Sequence, residues 1–509
     1  MFVNNWLTRR EMLTPNKTAL IDTVNNNRRI TYREWNRQVN RTAHFLREGL
    51  GVQKGDRVSV LAMNCVEYLD LWFACSKIGA ILHLLNWRLT PHELGQLVAD
   101  ATPSVLAYGQ EFAAHTGALR GVAESIRHLV ALDQQLPPGD VPFSERGRYP
   151  DAEPPEVELA WDDAWAICYT GGSTGFPKGV IVSHGQMTAI SVDLVTYLGL
   201  TADDVGIVAT PLFHMGGFAF PSLPFVHVGG TCIVTRRFDA DQTFDLLRDA
   251  GVTAFWGLPS MYTMLQQHPR WAEVDLSRLR ICASGGGSLP APVREKLWER
   301  GADLFVVYGL TEAGPALSLP PEGRRRKPDS VGVPLMHVDA KIVDDEGNEC
   351  GPDQVGELLL RGPQVFGGYW NNPEETARAF TADGWFHTGD LFRRDSEEYY
   401  YIVGRIKEMI KSGGENIYCA EVESVLSQHP AVLEAALIGV ADPKWGEVGR
   451  AIVVLKPGAT LGADELIAFC QAKLARFKLP RSVVFVDALP TIGPGKVDRV
   501  GLKEKYGGG

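Results

Sequence analysis

The sequence predicts an α/β fold, with a large N-terminal multi-layer α/β domain followed by a small C-terminal α+β domain. Short apolar runs rich in Val and Ile alternate with helical patterns over most of the chain, as layered α/β domains require. Several of those strands run straight into a glycine-containing loop, the place where α/β sheets receive ligands. At 509 residues the chain exceeds the size at which one hydrophobic core stops growing, and its texture changes near residue 390.

Taken in order, "DRVSVLAM" reads as a strand, "VEYLDLWFACSKIGA" as a helix with an apolar stripe, "HELGQLVADA" as a second helix and "PSVLAYG" as the next strand. The alternation recurs at "VTAFWGLP", "LRICASGG" and "DLFVVYGLTEAG". The one long uncharged segment, 205–234, is broken by Pro211, Pro221, Pro224 and several glycines. A transmembrane helix wants about 20 unbroken apolar residues, so buried strand and loop are expected there. After the charged stretch "LFRRDSEEYYY" come a helix at "AEVESVLSQ", strands at "LEAALIGV" and "RAIVVLKPG", a helix at "ADELIAFCQAKLARF" and a strand at "SVVFVDA". The boundary is placed at Gly404, giving domains 1–404 and 405–509, and the closing triple glycine reads as a tail.

Composition narrows the function. Hydrophobic residues at 45% supply ample core, and the net charge of -11 argues against nucleic acid or an anionic membrane as the main partner. The eight cysteines are scattered, with no CxxC and no ligand-like pairing with histidine, which suits reduced thiols. The opening "MFVNNWLTRREML" has no apolar stretch of signal-peptide length. A cytoplasmic enzyme acting on small molecules is the expectation, with a homodimer left open.

The stretch "YTGGSTGFPKGV" (169–180) suggests phosphate, because small residues let backbone N–H groups approach an anion while hydroxyls and an ammonium add donors. It is not a Walker A loop, since Lys178 follows Pro177 and precedes Gly179, and "GVIVSH" continues as a strand. Further motifs follow: "PLFHMGG" (211–217), "SGGGSLP" (284–290), "YGLTE" (308–312), "FHTGD" (386–390), "GRIKEMIKSGGENIY" (404–418) and "GPGKVDR" (493–499). Together and in this order they resemble the adenylate-forming superfamily, which includes acyl-CoA synthetases, nonribosomal adenylation domains and beetle luciferases.

That resemblance implies a reaction and a division of labour. A carboxylic acid and ATP give an acyl-adenylate and pyrophosphate, and a thiol then displaces AMP. Thr170, Gly171, Gly172, Ser173, Thr174, Gly175 and Lys178 would cradle the triphosphate. Lys496 would bridge the substrate carboxylate and the α-phosphate, where like charges must be neutralised. Thr311 would bond the α-phosphate, and Glu312 would supply a hard oxygen ligand for Mg2+. Gly285, Gly286 and Gly287 would wall the adenine, with Tyr308 and Gly309 beside it, and Asp390 and Arg405 would hold the ribose. His214 would stand between nucleotide and acyl sites. The small C-terminal domain is expected to be mobile, swinging about Lys407 so that Lys411, Gly413 and Gly414 replace the Lys496 loop and open a thiol channel.

His214 stands where amino-acid-activating relatives carry the Asp that holds a substrate ammonium, so an acid without an α-amino group is favoured. Phe213, Met215, Phe218, Phe255, Trp256, Met261 and Ala313 are apolar or aromatic candidates for the acyl pocket. The expected reaction is fatty-acid CoA ligation using ATP, Mg2+ and CoA, with an aryl-acid CoA ligase or an enzyme loading a carrier protein as alternatives. The run "RRRK" (324–327) could attract a phosphorylated thiol or form a solvated loop. Ile492, Pro494 and Cys419 depart from the family's usual spelling.

Overall fold

The computed structural model describes residues 4–132, 137, 139–170, 176–413, 415–471, 473–492 and 496–508. It divides into two compact units, Met1–Asp339 with Leu360–Phe386, and Ala340–Leu359 with His387–Gly509.

The first unit carries two sheets. One has seven strands in the order Val141–Pro142, His128–Ala131, Val105–Tyr108, Arg57–Leu61, Ile81–Leu84, Ala164–Thr170 and Lys178–Ser183, parallel except for the last pair. The other has nine: Val333–Pro334, Gly314–Ser318, Leu304–Leu310, Ile281–Gly285, Ala254–Gly257, Val205–Val208, Thr231–Val234, Thr18–Asp22 and Arg28–Thr31. Its five neighbouring pairs from Leu304–Leu310 to Thr18–Asp22 are parallel, with antiparallel strands at both edges. Parallel strands buried on both faces read as continuous apolar runs, which is why they were visible as short Val/Ile blocks.

Two local readings change. The helix Val66–Ile78 has no polar face: of its residues only Glu67 is not buried. A helix covered all round shows no stripe, and its buried charged members Asp70 and Lys77 are partnered instead. Trp35 Nε1 donates to Asp70 at 2.9 Å, and Lys77 pairs with Glu153 at 2.6 Å. The 205–234 stretch, expected as strand and loop, also holds short helices at Met215–Phe218 and Leu223–Val228. Pro224 sits in the first turn of the second, where its missing N–H costs nothing, and Gly229 ends it at φ 81.

The second unit holds most of a four-stranded sheet, Asp339–Val343, Gly356–Arg361, Phe386–Arg394 and Tyr400–Arg405. It also holds a sheet in the order Glu415–Ile417, Ile410–Ser412, Gly446–Leu455 and Val432–Asp442, with Ser482–Phe485 pairing Gly446–Leu455 in parallel. Helices Cys419–Leu426, Ala463–Gln471 and Arg499–Tyr506 accompany it. The boundary expected at Gly404 falls inside Tyr400–Arg405, one residue before that strand ends. By compactness the four-stranded sheet goes with the C-terminal residues, because the charged stretch near 390 is a strand and not a linker.

Candidate active site

Four motif-bearing strands of the nine-stranded sheet are parallel neighbours: Leu304–Leu310, Ile281–Gly285, Ala254–Gly257 and Val205–Val208. Their C-terminal ends therefore share one sheet edge, which receives "YGLTE", "SGGGSLP", Trp256 and the loop leading to His214. Backbones run close there. A Cβ on Gly285 would lie 2.6 Å from Trp256 and 2.6 Å from the Val307 carbonyl, so only glycine fits. A register shift between Tyr308 and Gly309 against the antiparallel neighbour marks a bulge, a device that re-aims side chains beside sites. Tyr308 is buried at this point.

Thr311 and Glu312 follow the strand and are held by their backbones. Gln186 Nε2 donates to the carbonyls of Thr311 at 3.4 Å and Glu312 at 3.5 Å, and Phe366 N–H donates to that of Glu312 at 2.7 Å. The Glu312 carboxylate accepts the Tyr369 hydroxyl at 3.2 Å. Lys178, the first residue of Lys178–Ser183, forms an ion pair with Glu375 and places its ammonium 4.9 Å from the centre of the Tyr369 ring. Arg378 braces Glu375 at 2.7 Å. Thr170 faces Lys178 across the stem of the glycine loop, and its hydroxyl donates to the Lys178 carbonyl at 3.5 Å. Gly171, Gly172, Ser173, Thr174 and Gly175 lie outside the described residues. Tyr369, Glu375 and Gln186 carry no motif spacing, so sequence reasoning missed them. For Tyr369 and Glu375 the signal was the apolar and small-residue run "FGGYW" before an Asn-Pro helix start.

His214 precedes the Met215–Phe218 helix, and burial with the nearby Arg88 guanidinium holds its imidazole down to a pKa of about 4. Arg88, also missed, lies over Trp87 at 4.6 Å and over Phe213 at 5.6 Å. Phe213 and Met215 are buried on either side of His214, and Ala313 is buried beyond Glu312. Trp256 stacks on Phe220 at 3.6 Å, and Met261 lies on the helix Pro259–Gln267. Two expected pocket residues pack among core side chains. Phe218 stacks on Trp72 at 4.0 Å with Trp165 edge-on at 5.6 Å, and Phe255 packs with Tyr262 in the cluster under the sheet. Alternation explains this: Phe255 and Trp256 are adjacent on one strand and must face opposite ways. In the "RRRK" run Arg324 is buried over Phe305 at 3.5 Å and pairs with Asp303, which is a packing role.

In the second unit Asp390 and Arg405 are cross-strand partners, joined at 2.9 Å, with Asp390 buried. The strand backbone before Asp390 is fixed by Glu357, which accepts the Gly389 N–H at 2.9 Å. Lys407 lies in the short 3-10 turn Ile406–Glu408. Lys411 pairs with Asn416, and Gly413 at φ 61 would put a Cβ 2.5 Å from Trp445, so that position demands glycine twice over. Gly414 lies outside the described residues. The backbone of Lys496 pairs with Ile492; the side chains of both lie outside what the structure describes, as does Pro494. Cys419, for which the sequence offered no role, donates its thiol to the Glu408 carbonyl at 2.9 Å and so ties helix Cys419–Leu426 to the 406–408 turn. Burial pushes that thiol up to about 12.

The profile of the AMP-binding enzyme family matches residues 7–370, and that of the AMP-binding enzyme C-terminal domain matches 421–496. The chain belongs to this family, within the adenylate-forming superfamily, as an AMP-forming acid–thiol ligase. A feruloyl-CoA synthase from Amycolatopsis is 38% identical over 506 residues, with 99% of each chain covered. A long-chain-fatty-acid–CoA ligase of Mycobacterium tuberculosis is 33% identical, with 98% of each covered. The solved structure of an anthranilate CoA ligase in complex with anthranoyl-AMP is similar at a TM-score of 0.91 and 29% identity, covering 99% of this chain and 96% of that one.

Proposed function

We propose that this enzyme uses ATP to convert an aromatic carboxylic acid, of the cinnamate type, into its CoA thioester through an acyl-adenylate. The observation that carries this reading is the higher identity to the feruloyl-CoA synthase, at 38%, than to the long-chain-fatty-acid ligase, at 33%, both over nearly the whole chain. The aromatic surfaces beside His214 and at the Trp256–Phe220 stack support it, since flat rings pack well on flat rings.

In the first half-reaction a carboxylate oxygen attacks the α-phosphorus and pyrophosphate leaves. Lys178 and the backbone donors beside it would hold the departing phosphates, Thr311 would bond the α-phosphate, and Lys496 would neutralise the approach of like charges. Asp390 and Arg405 would hold the ribose. Glu312 suits Mg2+, because one hard carboxylate is what an ion bound mainly by phosphate and water requires. When bound, that ion would offset triphosphate charge. In the second half-reaction the thiol sulfur attacks the acyl carbon and AMP leaves. His214, neutral above about pH 4, can border the acyl site without adding charge to it.

The test is a pyrophosphate-release screen with purified enzyme, ATP, CoA and a panel of cinnamates, benzoates and medium- and long-chain fatty acids. A ring fit worth about 1.4 kcal/mol or more gives cinnamates a kcat/KM at least about tenfold above any fatty acid. Preference for a fatty acid would overturn the reading and restore the aliphatic one. AMP release with a pantetheinylated carrier protein but not with free CoA would replace CoA as the thiol.

A further inference from the structure

The geometry points to Tyr369 as a positioning residue that fixes the Lys178 ammonium and the Glu312 carboxylate relative to one another, the first through its ring face and the second through its hydroxyl. The inference rests on the proposed function for what those two charges face, namely the triphosphate and its cation. It adds a residue that lies in none of the recognised motifs.

Several independent contacts place Tyr369 between the two elements. The stretch 368–370 lies along the stem of the glycine loop as a short extra strand. Ile181 N–H donates to the Gly368 carbonyl at 3.1 Å, Trp370 N–H donates to the Gly179 carbonyl at 2.7 Å, and Val180 and Tyr369 form an antiparallel bridge. Three residues upstream, Phe366 holds the Glu312 carbonyl, and its ring packs edge-on against Tyr369 at 4.8 Å. Downstream, the Thr376 hydroxyl accepts the Tyr369 N–H at 2.9 Å, and Glu375 on the same turn takes the Lys178 ammonium. One short segment therefore meets both phosphate-facing elements.

The chemistry requires such a brace. Lysine has four rotatable bonds and glutamate three, so neither fixes its own charge to the tolerance that phosphoryl chemistry needs. Tyrosine has two and is rigid beyond them, with a negative ring face that attracts an ammonium and a donor at its tip. A phenol ordinarily ionises only near about pH 10, so the hydroxyl is a donor at neutral pH.

Two substitutions separate the two ends of the side chain. Y369F keeps the ring over Lys178 and loses the bond to Glu312. Loss of one hydrogen bond to a charged group lowers the adenylation kcat about tenfold, while ATP affinity stays within about twofold. Y369L loses both contacts and, in addition, weakens ATP binding about threefold to fivefold, the scale of a partly exposed cation–π contact. ATP binding is read by equilibrium titration without acid, and rate by pyrophosphate release with whichever acid the panel selects. Should Y369L not fold, Tyr369→Met takes its place; thermal melting of Y369F alongside the native enzyme checks folding. A Y369F rate equal to wild type, a Y369L affinity equal to wild type, or matching losses in both variants on both measures would overturn the proposal. Native enzyme that binds ATP yet activates no aromatic acid would overturn the substrate reading alone, since the titration uses no acid.

Discussion

His83 lies fully buried on the strand Ile81–Leu84, its Nδ1 2.7 Å from Ser59 Oγ and its ring edge-on to Tyr169 at 5.3 Å, beside the stem of the glycine loop. Burial, with the Arg57 charge, brings its imidazole down to about 3. The neutral form is thus the folded form, whereas an unfolded chain takes up the proton below about 6.5. Stability from this residue is fully present above about pH 6.5 and drains away as pH falls towards 3, by on the order of 5 kcal/mol at about 1.36 kcal/mol per unit. Urea midpoints measured from pH 7 to pH 4 should fall more steeply for native enzyme than for His83→Asn. Parallel curves would show that the proton goes elsewhere. No sequence pattern could have singled out His83, since burial is set by neighbours far along the chain.

At the scale of elements, the brace around Lys178 depends on the six-residue helix Pro373–Arg378. Its N-cap is Asn372, whose side chain accepts the Glu375 N–H at 3.1 Å, and Pro373 occupies the first turn. The same helix carries Thr376, which holds the Tyr369 N–H. Asn372→Ala should cost about 1 kcal/mol of stability. It should also raise the ATP KM by about twofold to threefold, because fraying frees Glu375 and Tyr369 together. Thermal melting and ATP-dependent pyrophosphate release check both; a lower melting point with unchanged ATP use would confine Asn372 to stability. Asn-Pro before an acidic first turn is a legible helix start, so this element could be read from sequence even though its task could not.

At the scale of the whole molecule, the two half-reactions make opposite demands, and we take the swing about Lys407 to be how one chain serves both. Lys407 lies in a 3-10 turn, and because proline fixes φ at about -65° and removes an N–H, Lys407→Pro should resist the torsional change a swing needs and hold the adenylating orientation, which ATP and acid bind first. The substitution should preserve pyrophosphate exchange within about threefold and slow single-turnover transfer of a preformed acyl-adenylate to CoA by about a hundredfold. Loss of both rates together, or of neither, would count against Lys407 as the pivot. Cys419 and Arg499 also act at this scale. The thiol of Cys419 holds the Glu408 carbonyl, and Arg499 joins Glu408 at 3.0 Å to Glu423 at 2.6 Å, so the residue after the pivot is fastened to the C-terminal helices of its own unit.

The glycine loop, "YGLTE", "FHTGD" and "GPGKVDR" were legible in one dimension because each is a short run whose distinctive residues are neighbours in the chain. Strand and helix order were legible for the same reason, since apolar period is a local property. The partition of apolar residues between pocket and core was not: Phe255 and Trp256 look alike in sequence, and only the facing of a strand within the nine-stranded sheet sends Phe255 to the cluster with Tyr262 and Trp256 to Phe220. Nor could the sequence join Lys178, Glu312, Tyr369 and Glu375. They are up to 197 residues apart, and each contact exists only because separate chain segments meet beside one loop stem.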